Sequence, residues 1–158
     1  TVSVDLDPVV VGGAPRAADA SDAGRHGVRS GTTLDALLRS LGDRDEKVRT
    51  MAILGLAEVS DPTGEAARAI ALTLRADDVP QVRRWAAWAL GQIGNGTSVE
   101  PLIAALEHDD SDSVRRWAAW SLGMLRDPRA SDALDRAVTD DNAEVRRWAV
   151  WALAQLGK

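Results

Sequence analysis

The chain has 158 residues, 45% of them hydrophobic and 27% charged, with a formal net charge of −5. That length suits one domain with a core of ordinary size, and no apolar run approaches the roughly 20 residues of a membrane-spanning helix. The acidic balance argues against general affinity for nucleic acid, and the absence of cysteine excludes disulfides, thiolate metal sites and cysteine nucleophiles.

Residues 1–31 stand apart from the rest. Val2, Val4 and Leu6 alternate with polar neighbours, a weak strand signal, and Pro8, Gly12, Gly13 and Pro15 then interrupt any regular element. This non-helical extension has two readings: a flexible leader, or an extended arm that docks on a partner or on the chain's own groove. A start at Thr1 fits a processed or trimmed chain. No signal segment is recognisable, which favours a soluble, cytoplasmic protein.

Helical punctuation begins at Thr32, where Thr32-x-x-Asp35 resembles a capping box ahead of LDALLRSL. Gly42 and Asp43 end this helix, and DEKVRTMAILGLAEV opens a second. The same two-helix unit follows three more times: EAARAIALTL with PQVRRWAAWALGQIG, VEPLIAALEH with DSVRRWAAWSLGML, and SDALDRAV with AEVRRWAVWALAQLG. Aligned on one valine, the units start their second helices at Val48, Val82, Val114 and Val145, which are 34, 32 and 31 residues apart. Four hairpins at this period, at about 32–61, 62–95, 96–127 and 128–158, predict an all-α fold, an α-solenoid.

The second helices carry the strongest signal. VRRWAAWAL at 82–90 recurs as VRRWAAWSL at 114–122 and VRRWAVWAL at 145–153, with a fainter VRTMAILGL at 48–56. All six tryptophans fall in the three strong copies, and there is no Phe or Tyr. On a wheel of about 100° per residue, Val82, Ala86, Ala89, Leu90 and Ile93 form the core stripe. Trp85 lies at its edge, as do Trp117 and Trp148, where packing between elements explains them. Trp88 lies well off the stripe, in a row with Arg84 and Gln92. The row recurs as Arg116, Trp120 and Met124, then as Arg147, Trp151 and Gln155.

These units resemble the HEAT-repeat family, in particular its short HEAT-like subclass first noted in phycobilisome lyases. The resemblance rests on an Asp five residues before the valine (Asp43, Asp77, Asp109, Asp140), on Val-Arg itself, on Ala four later (Ala52, Ala86, Ala118, Ala149) and on the closing Leu90-Gly91 and Leu122-Gly123. It implies that Arg49, Arg83, Arg115 and Arg146 pair with these carboxylates between successive repeats, a bidentate role to which guanidinium is suited. It also implies that the second helices line a concave surface where ligands are met.

Inner helices spaced about 8–10 Å apart would set Trp88, Trp120 and Trp151 in an exposed ladder of roughly 20 Å, with Arg84, Arg116 and Arg147 beside it. An exposed aromatic row of that length suits an extended ligand. A bland alternative is that the arginines stack on these rings and the surface only stabilises itself.

Catalytic signals are weak. His26 and His108 are the only histidines and are far apart, so no metal or triad is expected, and no cofactor. The acidic runs at 107–110 and 140–141 stand where helix N-termini begin, which favours acids there. Asn95-Gly96-Thr97 reads as a turn, with Thr97-x-x-Glu100 available to cap the next helix.

The expected function is therefore non-enzymatic: a module that binds another protein or peptide on the Trp/Arg surface, with Trp85, Trp117 and Trp148 bordering it. Nucleic-acid binding is the alternative, on a resemblance to HEAT-like alkylpurine DNA glycosylases, though no Asp aligns clearly with their catalytic carboxylate. A chromophore-lyase or chaperone role, implied by the subclass, ranks third. The last repeat ends without a polar capping helix, so further repeats, a partner or a second copy is expected on its open side.

Overall fold

The computed structural model describes residues 27–157, and the sequence-based readings of the extension before Gly27 lie outside the described residues. Eight α-helices make up the described chain: α1 (Gly27–Ser40), α2 (Glu46–Glu58), α3 (Glu65–Ala76), α4 (Pro80–Ile93), α5 (Val99–His108), α6 (Asp112–Leu125), α7 (Ser131–Ala137) and α8 (Ala143–Leu156). Short 3₁₀ turns at 96–98 and 128–130 precede α5 and α7.

Local chemistry explains half of the helix starts. Asp45 caps α2 by accepting from the Lys47 N–H, Pro80 supplies a fixed φ in the first turn of α4, and Asn142 accepts from the N–H groups of Glu144 and Val145 at the start of α8. Asp61 organises the approach to α3, its carboxylate accepting from the N–H groups of Thr63 and Ala66 and the Thr63 hydroxyl.

Two capping expectations are corrected. Helix α1 runs through Thr32 from Gly27, so Thr32 stands inside the helix and cannot be its cap. Thr97 lies in the 3₁₀ turn and donates its hydroxyl to Asn95 Oδ1 rather than capping α5, because Asn95 gathers the hydroxyls of both Thr97 and Ser98.

Consecutive helices pair as hairpins α1/α2, α3/α4, α5/α6 and α7/α8. The second helices then pack side by side, α2 on α4, α4 on α6 and α6 on α8, more extensively than the first helices do. The array therefore curves toward the second-helix layer. Two glycines permit that close approach. A Cβ at Gly91 would stand 2.5 Å from Ser121 Oγ, and one at Gly123 would stand 2.5 Å from the Trp151 ring and 2.9 Å from Ala152 Cα. The core runs between the layers through Ile53, Leu56, Ile70, Leu90, Leu102, Leu122 and Leu134 with Val82, Val114 and Val145, all fully buried. No helix among the described residues is long and apolar enough to cross a membrane.

Candidate inner-face site and inter-repeat ladder

The second helices place two sets of polar side chains at fixed positions. The first arginine of the first three motifs points to the neighbouring repeat. Arg49 donates from Nε to Asp77 Oδ2 at 2.7 Å and from Nη2 to Oδ1 at 2.9 Å. Arg83 makes the same fork on Asp109 at 2.8 and 3.0 Å, and Arg115 on Asp140 at 2.8 and 3.1 Å. In each case Nη1 turns back to a carbonyl at the start of its own helix, that of Asp43, Asp77 or Asp109, which fixes the fork's direction. The carboxylates are fixed as well, since Oδ1 accepts the N–H of Val79, Ser111 or Asn142.

Burial pushes the carboxyl of Asp77 up, but the bonds from Arg49 and the Val79 N–H outweigh it and leave the group below its ordinary value. Asp140 is held low in the same way, with Arg115 and the Asn142 N–H opposing burial. Asp43 and Arg146 stand at the ends of the series. The Asp43 carboxylate accepts the Asp45 N–H, and Arg146 donates to the carbonyls of Asp140 and Asp141.

The second arginine and the two tryptophans form the inner face. Within each helix the indoles meet edge to face, Trp85 with Trp88 at 5.7 Å, Trp117 with Trp120 at 5.3 Å and Trp148 with Trp151 at 5.3 Å between centroids. Arg84 lies 5.5 Å over the Trp85 ring and Arg116 5.7 Å over Trp117, so these two arginines stack on the first indole of their own pairs. Arg84 is 4% exposed and Arg116 half-buried, whereas Arg147 is exposed and pairs with Glu144. Trp117 is buried, and among the described residues its Nε1 meets no hydrogen-bond partner.

The expected exposed ladder is corrected at its middle rung: Trp120 is only 5% exposed, between half-buried Trp88 and Trp151. Helix α6 has a tryptophan-bearing helix on each side, and the Trp151 ring leans across it over Gly123, which crowds the centre of the row. What is open is one turn further along. Met124 is 49% exposed, Gln92 is exposed, and Gln155 is half-buried with its Oε1 accepting from Arg126 at 3.2 Å.

Three features gave no sequence signal. Ser121 Oγ donates to the Ala87 carbonyl across the α4–α6 interface at 2.8 Å, at a position where the other strong copies have Ala89 and Ala152. The edge-to-face pairing depends on rotamers. Between α3 and α5, on the opposite layer, lies a groove of about 780 Å³ lined by Leu72, Pro101, Ala104 and His108 among others. Among the described residues no three His, Asp or Glu side chains converge as metal ligands do.

The family description "HEAT repeats" matches residues 67–154, more than half of the chain. The chain belongs to the HEAT-repeat family. Comparison with curated proteins found no match. Among solved structures, this HEAT-repeat chain is similar to human deoxyhypusine hydroxylase, with 27% identity and a TM-score of 0.69 over 78% of this chain and 43% of that one. It is similar to the complex of CpcE and CpcF of phycocyanin lyase from Nostoc sp. PCC7120, with 27% identity and a TM-score of 0.68 over 79% of this chain and 53% of that one. A designed armadillo repeat protein in complex with the peptide (KR)4 shares the fold, with 22% identity and a TM-score of 0.58 over 81% and 65% of the two chains. The chain spans about half the length of the first two neighbours.

Proposed function

We propose that this HEAT-repeat scaffold is a non-catalytic module that binds an extended segment of another protein across the inner face of α4, α6 and α8. The observation that carries the reading is the in-register row of exposed Gln92, exposed Met124 and half-buried Gln155 beside the tryptophan pairs. Each of the three stands one helical turn beyond Trp88, Trp120 or Trp151, so amide, thioether and indole groups share one stripe on each helix. Met offers an adaptable apolar contact, Gln can pair with a peptide backbone, and half-buried indoles at Trp88 and Trp151 border the strip with rigid apolar area. Buried Trp120 serves as its floor. The side chains on this face recognise rather than make or break bonds. The Nostoc neighbour, itself a complex of CpcE with CpcF, is a protein–protein assembly of similar fold.

The test is selection of binders from a library of random twelve-residue peptides against the full chain, followed by titration of the Met124→Lys variant. Selected peptides are expected to lose at least tenfold in affinity, about 1.4 kcal/mol, with helical circular dichroism unchanged because Met124 is exposed. Peptides that bind the variant as tightly as the parent chain would refute the assignment. So would a chain that yields no peptide binder yet holds a short oligonucleotide with strong salt dependence.

A further inference from the structure

The first helices of the hairpins meet less extensively than the second helices, and between α3 and α5 this divergence opens the groove of about 780 Å³ on the outer layer. Its floor is made of small side chains, buried Ala67 and Ala105, with half-buried Ala71 and exposed Ala104 above them. Leu72 stands on the α3 rim and is 66% exposed. The groove belongs to the interior of the array, with α1/α2 on one side and α7/α8 on the other, so a further repeat stacked at either end would leave it uncovered.

Charge is distributed unevenly along its walls. Arg68 and Arg75 stand on the α3 wall with Leu72 between them, seven residues apart, which is about two helical turns or roughly 10 Å. Both are exposed, Arg68 with its Nη1 on the Thr63 carbonyl at 3.0 Å, and among the described residues neither meets a carboxylate. The acids of the α5 wall are already answered within the chain. Asp109 is forked by Arg83, and Glu100 lies 3.6 Å from Arg129. His108, at the same end as Arg75, lies 3.7 Å from Glu107. In a chain of net charge −5, this groove therefore presents unanswered positive charge beside an apolar floor, and on one wall only.

We propose that the α3–α5 groove docks an amphipathic helix of another protein. Its large aliphatic side chains lie over Ala67, Ala71 and Ala105 and against Leu72, and acidic residues one heptad apart face Arg68 and Arg75. Two neighbouring helices with small residues between them form a trough into which the ridge of a third helix fits, and the two-turn spacing of the arginines repeats with the heptad of such a helix. Glu100 on the opposite wall disfavours acids on the other flank, so the charge pattern also sets the orientation. A small molecule would leave much of its surface in water beside the open Leu72 rim, whereas sites for small ligands enclose most of theirs. The inner face stays open, so this inference stands apart from the peptide-binding reading.

Selection from a library of helical three-heptad peptides, randomised at the apolar and flanking positions, tests it with the full chain as bait and the Leu72→Asp chain as counter-selection. Recovered peptides are expected to carry Leu or Ile on one stripe and Glu or Asp, seven residues apart, on one flank of it. They should lose at least tenfold in affinity on Leu72→Asp and at least threefold on Arg75→Glu, and should bind the inner-face variant Met124→Lys as they bind the parent. Exchanging their acids for Lys should weaken binding to the parent and restore it to an Arg68→Glu/Arg75→Glu chain. Leu72, Arg68 and Arg75 are exposed, so helical circular dichroism is expected to be unchanged in every variant. Recovery of no peptide, of peptides without an acidic flank, or of peptides indifferent to Arg75→Glu overturns the proposal. So does a chain that takes no peptide but binds decanoate, or self-associates in sedimentation, through Leu72, which would assign the groove to a small amphiphile or to a second copy.

Discussion

Arg126 closes α6 with φ at 52°, in the left-handed region that Gly94 occupies after α4 at φ 70°. A side chain there costs about 1 kcal/mol. Its exposed bond to Gln155, at 3.2 Å, returns less than about 1 kcal/mol. Arg126→Gly is therefore expected to raise stability slightly, by at most roughly 0.5 kcal/mol in urea denaturation, once the greater freedom of glycine in the unfolded chain is subtracted. A loss of stability would show that the tie to α8 outweighs the backbone strain. Trp120 shows what a helical wheel leaves out. Spacing gives the direction in which a side chain leaves its helix, and the tryptophan does leave away from the Val114–Leu122 stripe. Its depth depends on what stands on either side, and that is set by Gly123 and the lean of Trp151 across it.

Between helices, the arginine–aspartate forks carry a pH dependence whose sign follows from the carboxyls of Asp77 and Asp140, both lowered from an ordinary value of 3.8 in the folded chain. A carboxyl lowered by folding contributes stability that is fully present above its unfolded value and is lost as pH falls through the folded value. Urea midpoints are thus expected to be flat near neutrality and to fall below about pH 4. Asp77→Asn should lower stability at pH 7 by about 2 kcal/mol and make the acid slope shallower, since the variant has one titrating fork fewer. An unchanged slope would mean that other carboxyls govern acid unfolding. The helices themselves were readable from the apolar stripe repeated in VRRWAAWAL and its copies. Their punctuation was less legible. Thr32 has capping chemistry but lies inside a continuing helix, and Thr97 is diverted by Asn95.

The solenoid was readable from the 34-, 32- and 31-residue spacing of its valines, because a repeated hairpin has one way to bury its stripe, against its neighbours. The face left over for function was only partly readable. The wheel singles out the row of Arg84, Trp88 and Gln92 and its copies, but how much of each rung stays open depends on helix spacing and on the stacking of Arg84 and Arg116 over Trp85 and Trp117. That moves the accessible strip from Trp120 to Met124. The chain has only two methionines, so Met124 can be followed by mass spectrometry during mild peroxide oxidation. With a selected peptide at saturation, Met124 oxidation is expected to slow at least fivefold relative to the free chain. Unchanged oxidation of Met124 under saturating peptide would contradict binding on the inner face and would move the search to the α3–α5 groove around Leu72.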